Sequence, residues 1–196
     1  MASALDYDSR HDPYSHQSMT SVITVQGPRN PRQGLDGAAP VAVKVAAATV
    51  ANAAAVHAMM ARCSRMTLLR RFHGVTDGVT YTRALFECQP IDRTIDQTFV
   101  AWHDSACVGL ATLRPDGEGV AHLGVLVEDA WQRTGVGTLL VAALLKDARA
   151  RGLSSVHADV LGENQFIVNA LRRAGRVTVS VTLGTYSVDI DIGAGR

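Results

Sequence analysis

Apolar residues recur along this chain with two periods, one of two residues and one near 3.6, and segments of each kind follow one another. Val41, Val43 and Val45 alternate with Ala42 and Lys44, as in a half-buried strand. Ala53, Val56, Met59, Met60 and Cys63 then recur at helical spacing and predict an amphipathic helix ending near Ser64. A second short helix carries Leu68, Leu69 and Phe72 toward Gly74, and residues 80–88 suit a further helix. Strands are expected over 97–103 and 107–114, joined as a hairpin by Asp104-Ser105-Ala106, and a turn over 115–119 leads into a strand over 120–127. The longest helix follows, with Val136, Leu139, Leu140, Ala143, Leu144 and Ala148 on one stripe. Lys146, Asp147, Arg149 and Arg151 face outward and Gly152 ends it. A strand over 155–160 comes next, then a shorter helix over 164–174 with Ile167, Ala170 and Leu171 inward, ended by Gly175. A hairpin of 177–183 and 185–192 closes the chain across Gly184. The sum is an α/β sandwich built on a mixed sheet.

Residues 1–39 lack this order. They carry Pro13, Pro28, Pro31, Gly27, Gly34 and Gly37 among many polar residues and are expected to form a mobile tail ahead of one domain over 40–196. Within the tail, residues 22–25 suit a short edge strand, but their isolation favours disorder. His11 and His16 have no partner ligands at metal spacing.

A length of 196 residues allows one domain with a substantial core. With 19 basic and 18 acidic residues the net charge is +1, so no overall field draws the chain to nucleic acid or to a membrane surface. Cys63, Cys88 and Cys107 make no C-x-x-C pair and leave one thiol over, which fits reduced core cysteines in a cytoplasmic protein. No apolar run approaches the ~20 residues that span a bilayer, and no His, Cys and acid set has zinc-like spacing. A monomer or a homodimer is expected. Arg62, Arg65, Arg70 and Arg71 look like a solvated helix face.

The chemistry concentrates at Gln132-Arg133-Thr134-Gly135-Val136-Gly137, between the strand ending at Val127 and the longest helix. Two glycines let backbone approach a ligand, and the first helical turn leaves amide N–H groups unpaired at the positive end of the helix dipole. That is a place for a pyrophosphate. The spacing is neither G-x-G-x-x-G nor the Gly-Lys-Ser/Thr phosphate loop, so nicotinamide dinucleotides and nucleoside triphosphates lose ground.

Gln-x-x-Gly-x-Gly in this strand, loop, helix, strand context resembles the coenzyme A loop of the GNAT superfamily of N-acyltransferases. The resemblance extends over about residues 41–192 and includes Glu163-Asn164 opening a helix that ends in Gly175. The runs Ala61-Arg62-Cys63-Ser64, Arg70-Arg71-Phe72-His73-Gly74 and Val127-Glu128-Asp129-Ala130-Trp131-Gln132 look most like bacterial protein-lysine acetyltransferases. It implies a mostly antiparallel mixed sheet flanked by helices, acetyl-CoA as cofactor, and an amine acceptor such as a protein lysine. It also implies that Gln132, Arg133, Thr134, Gly135, Val136, Gly137 and Thr138 surround the pyrophosphate. Val125, Leu126 and Val127 would pair through their backbone with the pantetheine arm. Asn164 matches an asparagine that contacts that arm, and it suits equally a helix N-cap.

Acyl transfer to an amine needs a proton acceptor, an oxyanion donor and release of the thiol. A backbone N–H of the strand before the loop can serve the oxyanion, and a thiol titrating near ~8.5 leaves without a strong acid. Many GNAT enzymes use a tyrosine acid where this chain has Leu171, and the protein-lysine subgroup tends to carry a glutamate where it has His122. Alternation puts His122 on the face of Gly124 and Leu126. His122 is therefore a candidate base or a merely packed histidine, with His157 and Asp159 as second candidates. Glu87 has no firm register, and Glu128 and Asp129 look like solvated turn acids. Two functions remain: an acetyl-CoA-dependent N-acetyltransferase, or a catalytically weakened acyl-CoA sensor that regulates a partner.

Overall fold

The structure is a computed structural model and describes residues 21–27, 40–72, 97–115, 120–161, 165–172 and 175–193. Among these residues eight strands form one sheet: β1 (Ser21–Gln26), β2 (Pro40–Ala47), β3 (Gln97–His103), β4 (Ala106–Pro115), β5 (Val120–Val127), β6 (Ser155–Leu161), β7 (Arg176–Thr182) and β8 (Thr185–Asp191). Their spatial order is β1-β2-β3-β4-β5-β6-β8-β7. Every neighbouring pair is antiparallel except β5 with β6. The expected helices appear as α1 (Ala53–Arg62), α2 (Arg65–Phe72), α3 (Val136–Ala150) and α4 (Gln165–Arg172). No helix among the described residues is long and apolar enough to cross a membrane. The expected helix over 80–88, with Cys88, lies outside the described residues, as does most of the turn over 115–119.

Strand alternation sorts side chains onto two faces. Ala121 and Leu123 of β5 join Leu140, Leu144 and Leu145 of α3, Val168 and Leu171 of α4, and Val156, Val188 and Ile190 in the larger core. Leu126 of β5 turns to the other face, where Val56, Met59 and Met60 of α1 pack on Val100, Cys107 and Leu110. The sheet is thus covered on both sides, and burial of these apolar side chains holds the helices to it.

Two expectations change. Ser21–Gln26 pairs along its length with β2, so the edge strand forms inside the stretch expected to be mobile; Val25, only 8% exposed, joins the core and supplies the reason. Asp147 is buried rather than outward, because the guanidinium Nε of Arg151, one turn on, lies 2.7 Å from its carboxylate.

Candidate active site

The site begins where the sheet splits. β5 and β6 run parallel and pair only over Val120–His122 with Ser155–His157. On its other side β5 pairs with β4 from Ala121 to Val127, and just beyond, the Glu128 N–H donates to the Val108 carbonyl at 3.1 Å. Antiparallel alternation then assigns the backbone groups of Leu126, Gly124 and His122 to β4 and turns those of Val125 and Val127 toward the split. Val125 and Val127 therefore offer main-chain hydrogen bonds to an extended ligand. Leu126 offers only the apolar wall, since its backbone belongs to the β4 ladder opposite Leu110 and its side chain is buried on the α1 face.

At the end of β5 the chain makes a tight approach to α3. Arg133 (φ 63°) and Gly135 (φ 107°) both take left-handed backbone, the second a conformation that suits glycine. The first intrahelical bond runs from the Leu139 N–H to the Gly135 carbonyl, and α3 has no side-chain N-cap. The amides of Val136, Gly137 and Thr138 are thus outside the helical ladder at the positive end of the dipole. The side chains of Thr134 and Val136 are buried, and the Thr134 hydroxyl donates to the Trp131 carbonyl at 2.6 Å, so these two residues can act on a ligand only through backbone.

Gln132 has a structural task as well. Its Nε2 donates to the Val127 carbonyl at 3.1 Å and to Thr67 Oγ1 at 2.9 Å, joining β5, the loop and α2. Thr67 in turn donates to Asp129 at 2.9 Å, and Asp129 also accepts from the Ser64 amide (2.8 Å) and hydroxyl (2.7 Å). Burial pushes the Asp129 pKa up, but the donors of Ser64 and Thr67 outweigh it and hold it below the ordinary value. Asp129 is exposed, as expected of a turn acid, and it also anchors the start of α2. Glu128 is likewise engaged, 2.8 Å from Arg62, which also donates to the Cys107 carbonyl at 2.7 Å.

Two cavities lie along the split. One, of about 360 Å³, is lined by Val125, Leu126, Val127, Gln132, Arg133, Gly135, Gly137 and Thr138, so eight of the residues expected around the cofactor converge there. The other, of about 400 Å³, is lined by His122, Gly124, His157 and Asp159. Arg70, Arg71, Val125 and Ile167 line both, which makes them adjoining parts of one cleft. Arg70 and Arg71 are therefore cleft residues, not a solvated face; Arg71 reaches across β5 and its Nη2 donates to Thr112 Oγ1 at 2.9 Å. The register of α2 against β5 that puts them there is not visible in helical periodicity.

At the far end of the cleft five polar side chains meet in one cross-strand patch. His122, His157 and Asp189 are successive partners across β5, β6 and β8. The rings of His122 and His157 stand edge to face with centroids 5.4 Å apart. His157 Nδ1 lies 2.7 Å from Asp189 and Nε2 lies 3.3 Å from Asp159, which accepts at 2.9 Å from the Ser187 hydroxyl. Burial pulls the His157 pKa down, yet the hydrogen bond to Asp189 and the charge of Asp159 overcome it, and the net shift is upward. Asp189 and Ser187 carry no local sequence signal, since only the pairing of β6 with β8 brings them to His157 and Asp159.

Residues 63–175, more than half of the chain, match the acetyltransferase (GNAT) family. The chain belongs to the GNAT family. Among solved structures it is similar to the GNAT domain of S. lividans PAT, with a TM-score of 0.70 and 19% identity over 88% of this chain and 96% of that one. It is also similar to RimL, the ribosomal L7/L12 alpha-N-protein acetyltransferase solved with coenzyme A (TM-score 0.63, 16% identity, 78% and 96% covered). The protein yncA of Salmonella typhimurium, solved with its cofactor acetyl-CoA, gives a TM-score of 0.61 at 18% identity, with 78% and 95% covered. At these identities the likeness is one of fold, and the mostly antiparallel sheet flanked by helices is the GNAT fold. As a GNAT acetyltransferase the protein has acetyl-CoA as its cosubstrate.

Within this GNAT site, Leu171 is completely buried in the larger core and has no proton to give. Burial pushes the thiols of Cys63 and Cys107 up to about 12, which removes both as nucleophiles near neutral pH. Asn164 and Glu87 lie outside the described residues.

Proposed function

We propose that the protein moves an acetyl group from acetyl-CoA to a primary amine, with protein lysines among its acceptors. The observation that carries this reading is the single cleft running from the open amides of α3, past the part of β5 that β6 does not pair, to the histidine and carboxylate patch. The donor set fits the cofactor. Amides of Gly135 through Thr138 would hold the pyrophosphate at the helix N-terminus, and the space beside Gly137 is open, since a Cβ there would meet only a Val127 methyl at 3.7 Å. Main-chain groups of Val125 and Val127 would pair with the pantetheine arm, and one of their N–H groups would face the carbonyl oxygen as it gains charge. When bound, acetyl-CoA supplies an activated thioester.

The chain's own residues then need only orient the amine and take its proton. His122 and His157 stand at the acceptor end and supply the candidate bases. The leaving thiolate needs little help, because the conjugate base of a thiol titrating near ~8.5 is only weakly basic. Thiol release from acetyl-CoA with poly-L-lysine, spermidine and lysine peptides, beside calorimetric CoA binding, tests the proposal. Turnover above the solvent rate supports it.

A second reading is favoured by one observation, the burial of Leu171 where an acid is common in the family. On that reading the same cleft binds acyl-CoA as a sensor without turnover. CoA binding with no thiol release from any of these amines supports the sensor and overturns the transferase.

A further inference from the structure

We infer that the proton acceptor of this site is His157, oriented by Asp189, and that Asp159 receives the acceptor's ammonium group. This rests on the transferase reading above and names the residues that make its acceptor end work.

Of the two histidines only His157 is held in a defined orientation. Its Nδ1 is fixed at 2.7 Å from Asp189 on the neighbouring strand, which makes Nδ1 the protonated nitrogen in the neutral ring. In the neutral ring the other nitrogen, Nε2, carries the lone pair, and its 3.3 Å contact with Asp159, which lines the cleft, becomes a hydrogen bond only once the ring is the imidazolium. A base whose far nitrogen is tied to a carboxylate is the general arrangement for proton abstraction. Among the described residues no hydrogen bond fixes the tautomer of His122, which is exposed and touches His157 only ring to ring.

Asp159 is the natural landing point for a cation. Its side chain is 48% exposed, and it is held by Ser187 at 2.9 Å while its contact to His157 is longer, at 3.3 Å. An ammonium group that enters beside this carboxylate meets Nε2 directly. One N–H bond of the ammonium breaks and an N–H bond forms at Nε2; the electron pair left behind stays on the amine, which becomes the nucleophile. The resulting imidazolium lies between two carboxylates, which stabilise its charge. Among the described residues, the titratable and charged groups around His157 are Asp159 on its own strand and Asp189 on β8, with His122 beside it on β5 and Arg70 and Arg71 lining the same cavity from α2.

The pH dependence of kcat/KM with acetyl-CoA and spermidine or poly-L-lysine tests this. The wild-type rate should fall on the acid side with an inflection above the ~6.5 of an ordinary histidine. His157→Gln should lower kcat by about 100-fold or more and flatten that inflection, while KM for acetyl-CoA stays within about twofold. Asp189→Asn, which keeps the side-chain shape at an exposed strand position and tests the same assignment independently of His157→Gln, should move the inflection to lower pH and lower kcat. His122→Gln should keep the inflection where it is. Loss of the inflection in His122→Gln, or its survival in His157→Gln, overturns the assignment while leaving the transferase reading intact. Wild-type protein that binds CoA and releases no thiol overturns both.

Discussion

Gly124 leaves empty the space that the guanidinium of Arg71 fills: a Cβ on Gly124 would lie inside that group. β5 is therefore crossed, at the junction of the two cavities, by a cation that reaches Thr112 on β4.

Gly124→Ala should push the Arg71 head group off Thr112 and into the cleft. Because the displaced atoms end a flexible side chain, the melting temperature should change little, while kcat/KM for acetyl-CoA drops by about tenfold or more. Arg71→Ala added to Gly124→Ala should cost less than the sum of the two changes, since the second removes what the first displaces. Steady-state kinetics and thermal melts of the three variants measure it.

Gly135 holds φ at 107° where α3 begins. Gly135→Ala should cost about 1–3 kcal/mol of stability, the range for non-glycine residues held in sparsely populated backbone regions. It should also weaken CoA binding by about tenfold or more, because relaxing this residue re-aims the amides that follow it. Chemical denaturation and calorimetry read the two effects separately.

Asp129 ties α2 to the glycine loop, and its pKa is lowered in the folded protein. A lowered carboxylate stabilises the fold above its unfolded value near ~3.9 and loses that contribution as pH falls through the folded value. The stability difference between wild type and Asp129→Asn should accordingly be constant near neutral pH and shrink below about pH 4. Melts of both proteins over a pH series check the sign.

Leu171, which the family resemblance matches to a tyrosine acid, is wholly buried. Leu171→Tyr should overpack the core, at about 1–3 kcal/mol, and should not raise kcat, because the side chain points into the core and away from the cleft. Denaturant unfolding and thiol-release rates test both halves.

Much of this site was legible before the fold was known. Val136, Leu140 and Leu144 recur at helical spacing beside Gly135 and Gly137, and local pattern alone places the open end of α3 after β5. What stayed hidden depends on pairing between distant segments. Ser21–Gln26 looked isolated because its partner, Pro40–Ala47, lies beyond a Pro- and Gly-rich stretch. Asp189 is 32 residues from His157 in the chain and 2.7 Å away in space. Arg70 and Arg71 have the charge of a surface face, and only the packing of α2 on β5 turns them to the cleft. The partners of Asp129 and Asp147 are hidden for the same reason: the Ser64 and Thr67 donors to Asp129 come from another element, and the Arg151 guanidinium that pairs with buried Asp147 comes from the next turn.

On this reading coenzyme A lies in the split between β5 and β6 with its pyrophosphate on the amides that open α3. Titrating CoA into isotopically labelled protein and following backbone amide resonances tests it most directly. The amides of Gly135, Val136, Gly137 and Thr138, with those of Val125 and Val127, should shift most and saturate together. Saturation with the largest shifts elsewhere, or no shift at millimolar CoA, would contradict the account.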